Sequence, residues 1–163
     1  MTKSITYDDI EQLEYCDAVI KEVTRHYPVA FIIGRVSGED DNIGGYDLSA
    51  GSEFLMLYSA ILKRKDYWTD PEKFDPNRFY KIEGSDKYIL EKQNIKNTFT
   101  IFGEGIRKCP GRKLAMIELK FLLASVYRKY DVELVDIDAP LKYISTLIGT
   151  CDELLVKIKP RKF

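Results

Sequence analysis

The chain has 163 residues, 45% of them hydrophobic, and a formal net charge of −1 at pH 7. This length is typical of one domain with its own core, and the near-neutral charge argues against a disordered chain or a basic nucleic-acid-binding protein. Three cysteines, an odd number without a signal peptide, favour a reducing compartment over a disulfide framework, and no apolar run reaches the roughly 18 residues of a membrane-spanning helix.

The first predicted element is a helix over residues 7–26. Thr6 or Asp8 can cap its start, apolar residues recur along it at helical spacing, and Pro28 ends it. Three short runs separated by glycine turns follow and predict a small antiparallel sheet. These runs are residues 29–36, 42–48 and 53–58.

The next stretch, residues 70–80, is rich in Asp and Pro and predicts an ordered coil anchored by Phe74 and Phe79. A second helix is expected from Arg112 to about Tyr130, followed by strands over residues 132–135 and 154–159. The predicted elements are therefore helices, a small antiparallel sheet, an ordered coil and a terminal strand pair.

One cysteine lies in a glycine-rich loop before the second helix, where residues 102–111 read Phe-Gly-Glu-Gly-Ile-Arg-Lys-Cys-Pro-Gly. The glycines let the backbone turn tightly and approach a flat ligand, and Pro110 suits the first position of a helix. Cys109 is therefore expected at the positive end of a helix dipole beside basic residues, which favours a thiolate. Such a thiolate is a metal ligand or a nucleophile, and the alternative is a buried or disulfide-bonded cysteine.

This loop resembles the haem-thiolate loop of the cytochrome P-450 monooxygenases, because the six fixed positions of that family's pattern (Phe, Gly, Gly, Arg, Cys and Gly) are present. The resemblance implies that Cys109 ligates haem iron, with electron donation that favours splitting of the O–O bond. It also implies that Arg107 pairs with a haem propionate and that Phe102 packs beside the sulfur. The implied haem contacts are Phe102, Gly103, Arg107, Gly111, Ala115 and Arg35.

Two further motifs extend the resemblance. Residues 22–25 read Glu-Val-Thr-Arg, which places opposite charges one helical turn apart and by itself indicates no more than a solvated ion pair. Residues 13–28 resemble the family's helix K, and residues 74–79 resemble its meander. The resemblance implies that Glu22, Arg25 and Arg78 form a buried structural cluster, in which the loss of one partner leaves a stranded charge.

Other positions carry two interpretations each. Arg35 follows an apolar run, and the resemblance makes it a second propionate partner, although a solvent-facing position fits the pattern as well. The resemblance also implies two mostly apolar substrate-contact segments, which core packing explains equally well. Their candidate residues are Val29, Ala30, Phe31, Gly149 and Thr150.

Several residues near these motifs receive simpler interpretations. Cys16 is expected to pack on the apolar stripe of the first helix, and His26 to cap that helix rather than to bind iron. A basic group surrounds the cysteine loop, and the resemblance implies that it docks an electron-donor reductase that supplies NADPH electrons. Ordinary solvated side chains are the alternative for this group, which is Lys108, Arg112, Lys113 and Lys120.

The resemblance covers the family's C-terminal part only, from helix K onward. It implies a mainly helical fold with a small β-sheet region, of which this chain is an α+β fragment, so we expect residues 1–163 to be a single incomplete domain. The distal helix with its acid–alcohol pair and the membrane anchor are expected outside it, in an intracellular parent protein anchored to the endoplasmic reticulum. The implied function is a haem-thiolate monooxygenase that uses O2 to oxidise a small apolar organic substrate. The alternative is a truncated, non-catalytic haem-binding or pseudo-enzyme domain. The isolated chain is expected to fold poorly and to turn over little, because apolar surfaces lack partners.

Overall fold

The computed structural model describes residues 4–80, 95, 98–145 and 148–162. All four strand pairs within this part of the chain are antiparallel, and each forms a separate two-stranded sheet: β1 with β4, β2 with β3, β5 with β8, and β6 with β7. The elements in chain order are α1 Tyr7–Glu11, α2 Glu14–His26, β1 Ile32–Val36, β2 Asp41–Ile43, β3 Tyr46–Leu48, β4 Glu53–Leu57, α3 Tyr58–Ile61, α4 Arg112–Tyr127, β5 Tyr130–Leu134, β6 Tyr143–Ser145, β7 Gly149–Cys151 and β8 Val156–Pro160.

The first helix is divided, so the prediction of one helix over residues 7–26 is wrong. Thr6 caps α1 with a capping box: its hydroxyl accepts from the Asp9 amide at 3.3 Å, and the Asp9 carboxylate accepts from the Thr6 amide at 2.9 Å. The Leu13 amide then donates to the Ile10 carbonyl at 3.2 Å. This tighter i→i+3 turn ends the α-helical ladder, and α2 starts anew at Glu14.

The predicted single sheet is two sheets. The run 42–48 contains Gly44 and Gly45, whose φ angles of 62° and 89° form a hairpin turn between β2 and β3. A turn of this kind pairs its flanking strands with each other. β1 consequently pairs with the more distant β4, with Gly34 opposite Leu55.

The main apolar core forms where β4 runs into the short α3, a helix that the sequence pattern does not predict. Tyr58, Leu62 and Trp68 are buried together, and Phe79 and Phe99 pack against them. The indole N–H of Trp68 donates to a backbone carbonyl, that of Ile61, at 3.2 Å. This core supports the C-terminal end of α2 and the coil that follows residue 70.

The C-terminal half begins with α4. Gly111 is its N-cap, so Pro110 precedes the helix rather than occupying its first position, and the helix ends at Tyr127, three residues earlier than predicted. β5 and β8 form the predicted terminal strand pair. β6 and β7 form a hairpin that the sequence pattern does not predict. Within the described residues, no helix is both long and apolar enough to span a membrane.

Candidate functional site

Three charged residues form a cluster with no solvent exposure at all. Glu22, Arg25 and Arg78 each have a relative exposure of 0%. Arg25 donates to Glu22 in a two-point contact, with Nε to Oε2 at 2.8 Å and Nη2 to Oε1 at 2.9 Å, and Arg78 Nε donates to the same Oε1 at 3.3 Å. The structure thus brings together the three residues that the resemblance assigns to one structural cluster.

Backbone groups add further hydrogen bonds to the cluster. The Asp75 amide donates to Glu22 Oε1 at 2.8 Å, Arg25 Nη1 donates to the Leu62 carbonyl at 2.9 Å, and Arg78 Nη2 donates to the Asp70 carbonyl at 2.9 Å. Buried charges are tolerated when they are both paired and hydrogen-bonded in this way. The cluster therefore joins α2, the end of α3 and the coil in one fixed arrangement.

His26, the last residue of α2, lies at the edge of this cluster. Its Nε2 atom is 2.6 Å from Arg25 Nη2 and 3.4 Å from the Lys73 carbonyl oxygen. Because an arginine can only donate, the close contact favours a neutral ring that accepts at Nε2. Burial, and then the charge of Arg25, lower the pKa of His26 below its usual 6.5, while the Lys73 carbonyl and Glu22 oppose this change.

The cysteine loop is built on backbone hydrogen bonds and on two glycines in the left-handed region. The Cys109 amide donates to the Phe102 carbonyl at 2.7 Å, and the Gly103 amide donates to the Thr100 carbonyl at 2.7 Å. Gly103 and Gly105 have φ angles of 72° and 65°, which side chains with a Cβ atom rarely adopt. The loop therefore has a defined shape that depends on glycine at these two positions.

The Cys109 side chain is an exposed free thiol at the end of this loop. The backbone carbonyl oxygen of Cys109 is 3.5 Å from the Arg112 amide nitrogen, and a Cβ atom placed on Gly111 would lie 3.8 Å from the Cys109 sulfur. The sulfur thus lies beside the N-cap of the 16-residue helix α4. Arg112 turns back over the ring of Phe102, with 5.8 Å between the guanidinium carbon and the ring centroid.

A cavity of about 550 Å³ lies between α1 and this end of α4, and Cys109 lies on its wall. Lys108, Arg112 and Lys113 line it and are exposed, as the basic group around the loop was expected to be. Lys120, two turns further along α4, also lines it but is only 7% exposed. Lys120 is therefore neither an ordinary solvated side chain nor a part of an accessible docking face.

The two candidate substrate segments meet in the structure although more than a hundred residues separate them in sequence. The Gly149 amide donates to the Val29 carbonyl at 2.7 Å. Val29 and Thr150 are exposed, whereas Ala30 and Phe31 are half-buried. The side chain of Tyr143, which the sequence pattern does not single out, strengthens this junction: its hydroxyl donates to the Pro28 carbonyl at 2.8 Å.

The remaining candidate haem contacts occupy separate elements. Arg107 lies in an exposed 3₁₀ turn of the loop, and Ala115 lies in the first turns of α4, where its amide donates to the Gly111 carbonyl at 2.9 Å. Arg35 is half-buried in β1 opposite Phe54 and donates to the Gly34 carbonyl at 2.9 Å. Its partner in this structure is thus a neighbouring backbone group.

The sequence pattern does not predict two contacts of the site. The Asp75 amide and the hydroxyl of Tyr143 both bind groups far away in the chain, and such pairs leave no periodic signal. In the part of the chain that the structure describes, no three His, Cys, Asp or Glu side chains lie close enough together to hold a metal ion. Cys109 is the cysteine that the loop exposes.

Comparison with known proteins gives a consistent result. Residues 1–162 match the family model described as Cytochrome P450. The chain is 36% identical over 132 residues to Cytochrome P450 71A8 of Mentha piperita, covering 80% of this chain and 25% of that protein. It is 30% identical over 161 residues to Cytochrome P450 4d1 of Drosophila simulans, covering 98% of this chain and 30% of that protein.

Solved structures agree in fold. The crystal structure of the cytochrome P450DA heme domain superposes with a TM-score of 0.82 at 24% sequence identity, covering 98% of this chain and 34% of that chain. At this identity the likeness concerns the fold alone. The mixture of helices and small antiparallel sheets observed here is that of the C-terminal portion of such domains.

Proposed function

Because this chain belongs to the cytochrome P450 family, we propose that it forms the haem-binding part of a monooxygenase in which Cys109 is the protein ligand of the iron. The observation that carries the proposal is the exposed Cys109 thiol, held by a glycine-shaped loop at the start of α4. The chain spans between 23% and 30% of the length of the curated relatives it matches. The activity of the whole protein is accordingly part of the proposal.

The residues present fit a haem group. A porphyrin supplies four nitrogen ligands to its iron and needs one protein thiolate, which a single exposed cysteine can provide. The residues that would hold the group are Cys109, Phe102, Gly103, Arg107, Gly111, Ala115 and Arg35. When bound, a thiolate-ligated haem supplies the reductive activation of O2 that the insertion of one oxygen atom requires.

The chain's own residues would perform three tasks. The loop presents the sulfur without a side chain at Gly103 or Gly105 to obstruct a flat ligand. Arg107 and Arg35 would neutralise propionate charges. The cluster of Glu22, Arg25 and Arg78 would keep the coil in place beneath the haem site.

The partners follow from the same assignment. The exposed basic residues Lys108, Arg112 and Lys113 form a face suited to an acidic electron-donor reductase that delivers electrons from NADPH. The junction of the segments at Val29 and Gly149 would contact a small apolar organic substrate. We further propose that residues 1–163 form one incomplete domain of an intracellular protein anchored to the endoplasmic reticulum.

A second candidate function is non-catalytic haem binding by the chain on its own. Catalysis is not expected of the chain alone because the apolar surface of α4, where Leu114, Phe121 and Leu122 all face solvent, would stay uncovered. A surface of this kind normally packs against other parts of a protein. Reductase-dependent turnover by the 163-residue chain would contradict this alternative.

The absorbance of the reduced, carbon monoxide-treated protein tests the main proposal. Thiolate ligation is expected to shift the Soret band far to the red, and Cys109→Ala is expected to abolish this shift. Cys151→Ala is the matched control, because Cys151 is also an exposed free thiol and should leave the spectrum unchanged. A red-shifted band that persists in Cys109→Ala would refute the assignment.

A further inference from the structure

We propose that Tyr143 and Gly149 are positioning residues that fix the spacing between the two candidate substrate segments and thereby set the size of the apolar group that the protein accepts. The inference rests on the proposed function. It concerns residues on the β6–β7 hairpin and on the segment that leaves α2 at residue 27.

Three contacts dock the hairpin on that segment. The Tyr143 hydroxyl donates to the Pro28 carbonyl at 2.8 Å, and the Gly149 amide donates to the Val29 carbonyl at 2.7 Å. The rings of Tyr143 and Tyr27 meet edge to face, with 5.3 Å between their centroids. Both ends of the hairpin are therefore held, one by a side chain and the other by the backbone.

The junction has no space for a side chain at residue 149. A Cβ atom on Gly149 would lie 2.0 Å from the Tyr143 hydroxyl oxygen and 2.7 Å from the Pro28 carbonyl oxygen. Real Cβ atoms essentially never approach other heavy atoms this closely, and the Pro28 carbonyl is backbone that cannot rotate away. Gly149 is not among the glycines with positive φ. Glycine is therefore required here by the close approach and not by the local backbone conformation.

Two apolar side chains beside the junction are exposed. Ile148 is 57% exposed and Val29 is 59% exposed. They belong to the two segments that the hydrogen bond between the Gly149 amide and the Val29 carbonyl joins. Any displacement of the hairpin moves Ile148 relative to Val29. The distance between the Ile148 and Val29 side chains, and with it the fit of an apolar group, thus depends on the tight contact at Gly149.

The test uses two probes of different size on the intact haem-loaded protein. Imidazole and 4-phenylimidazole both bind iron through a ring nitrogen, but only the second carries an additional apolar ring. Their Kd values are measured from the shift of the Soret band. The proteins compared are the wild type, Gly149→Ala, Tyr143→Phe and the control Gly38→Ala, since a Cβ atom on Gly38 meets nothing within 4 Å.

We expect Gly149→Ala to weaken 4-phenylimidazole binding about tenfold, which is about 1.4 kcal/mol, while imidazole binding changes less than about twofold. Tyr143→Phe retains the ring contact with Tyr27 and should weaken 4-phenylimidazole binding about threefold. Gly38→Ala should change neither value. If Gly149→Ala fails to fold, the change in the two Kd values in Tyr143→Phe alone decides whether the inference holds.

Equal changes for both probes, or no change for either, would overturn the inference. The carbon monoxide spectrum separates this result from a failure of the proposed function. A wild-type protein with the red-shifted band but with unchanged probe selectivity in the variants refutes the inference alone. A wild-type protein without that band refutes the proposed function, and the inference with it.

Discussion

The buried ion cluster and the cysteine loop differ in the solvent exposure of their functional side chains. Glu22, Arg25 and Arg78 are fully buried, and they are hydrogen-bonded to one another and to backbone groups. The loop leaves the Cys109 thiol exposed, and its shape depends on backbone hydrogen bonds and on glycine at residues 103 and 105. The comparison indicates that the loss of a partner would be far more costly in the cluster than in the loop, which keeps a thiol accessible at little structural cost.

The largest expected effect tests the cluster. Glu22→Ala removes the carboxylate that both buried guanidinium groups contact, so we expect it to lower the free energy of unfolding by about 3–5 kcal/mol and to abolish haem incorporation. Glu133→Ala is the control, because it removes one side of the exposed pair with Lys159 and should cost less than about 1 kcal/mol. Urea denaturation and the haem absorbance measure both effects. A stable Glu22→Ala protein with a normal haem spectrum would contradict the structural role.

The next effect tests the shape of the loop. Gly103→Ala introduces a side chain at a φ of 72° and places its Cβ atom 3.4 Å from the Arg107 carbonyl oxygen. We expect a loss of about 1–2 kcal/mol of stability together with weaker haem retention. Gly38→Ala, in open space, should change the free energy of unfolding by less than about 0.5 kcal/mol. Equal denaturation midpoints for the two variants would show that the loop does not depend on glycine at residue 103.

A smaller effect should appear as a dependence of stability on pH. Because the pKa of His26 is lowered in the folded protein, the unfolded chain binds more protons between that value and the usual 6.5. The free energy of unfolding should therefore fall as the pH falls through 6.5 toward the folded pKa, and it should level off below that value. His26 is the one histidine of the chain, so the difference between the wild type and His26→Gln isolates its contribution. A difference that does not vary between pH 7.5 and 5 would contradict the neutral ring beside Arg25.

The smallest effect on stability is expected at the cysteine itself. Cys109→Ser removes an exposed sulfur that fills no core, so the free energy of unfolding without haem should change by less than about 0.5 kcal/mol. Thermal unfolding of the haem-free proteins measures this. A loss of several kcal/mol would show that the loop is as deeply built into the fold as the cluster, and the contrast between the two regions would no longer hold.

Motifs with fixed spacing were the part of the site that the sequence predicted well. The charges at residues 22 and 25 are neighbours on one helical turn, and the loop pattern places Cys109 directly before a helix. Periodicity also located α2, and Pro28 correctly indicated its end. These features depend on residues close together in the chain, which is why a sequence pattern can reveal them.

Features that depend on distant contacts were missed. The turn that ends α1 contains neither glycine nor proline, so no residue in it indicates that the helix is interrupted before Glu14. The hairpin of β6 and β7 is short, and its position depends on contacts of Tyr143 and Gly149 with residues 28 and 29. The burial of Lys120 follows from packing around α4, although lysine is usually solvated.

The environment of Trp68 has a practical consequence. It is the one tryptophan of the chain, it is 1% exposed, and the guanidinium of Arg25 lies 5.2 Å from its ring centroid. Its fluorescence therefore reports from a single place, directly beside the ion cluster. Opening of that cluster would hydrate the indole and move its emission to longer wavelength, which gives a spectroscopic record of the interior without any added label.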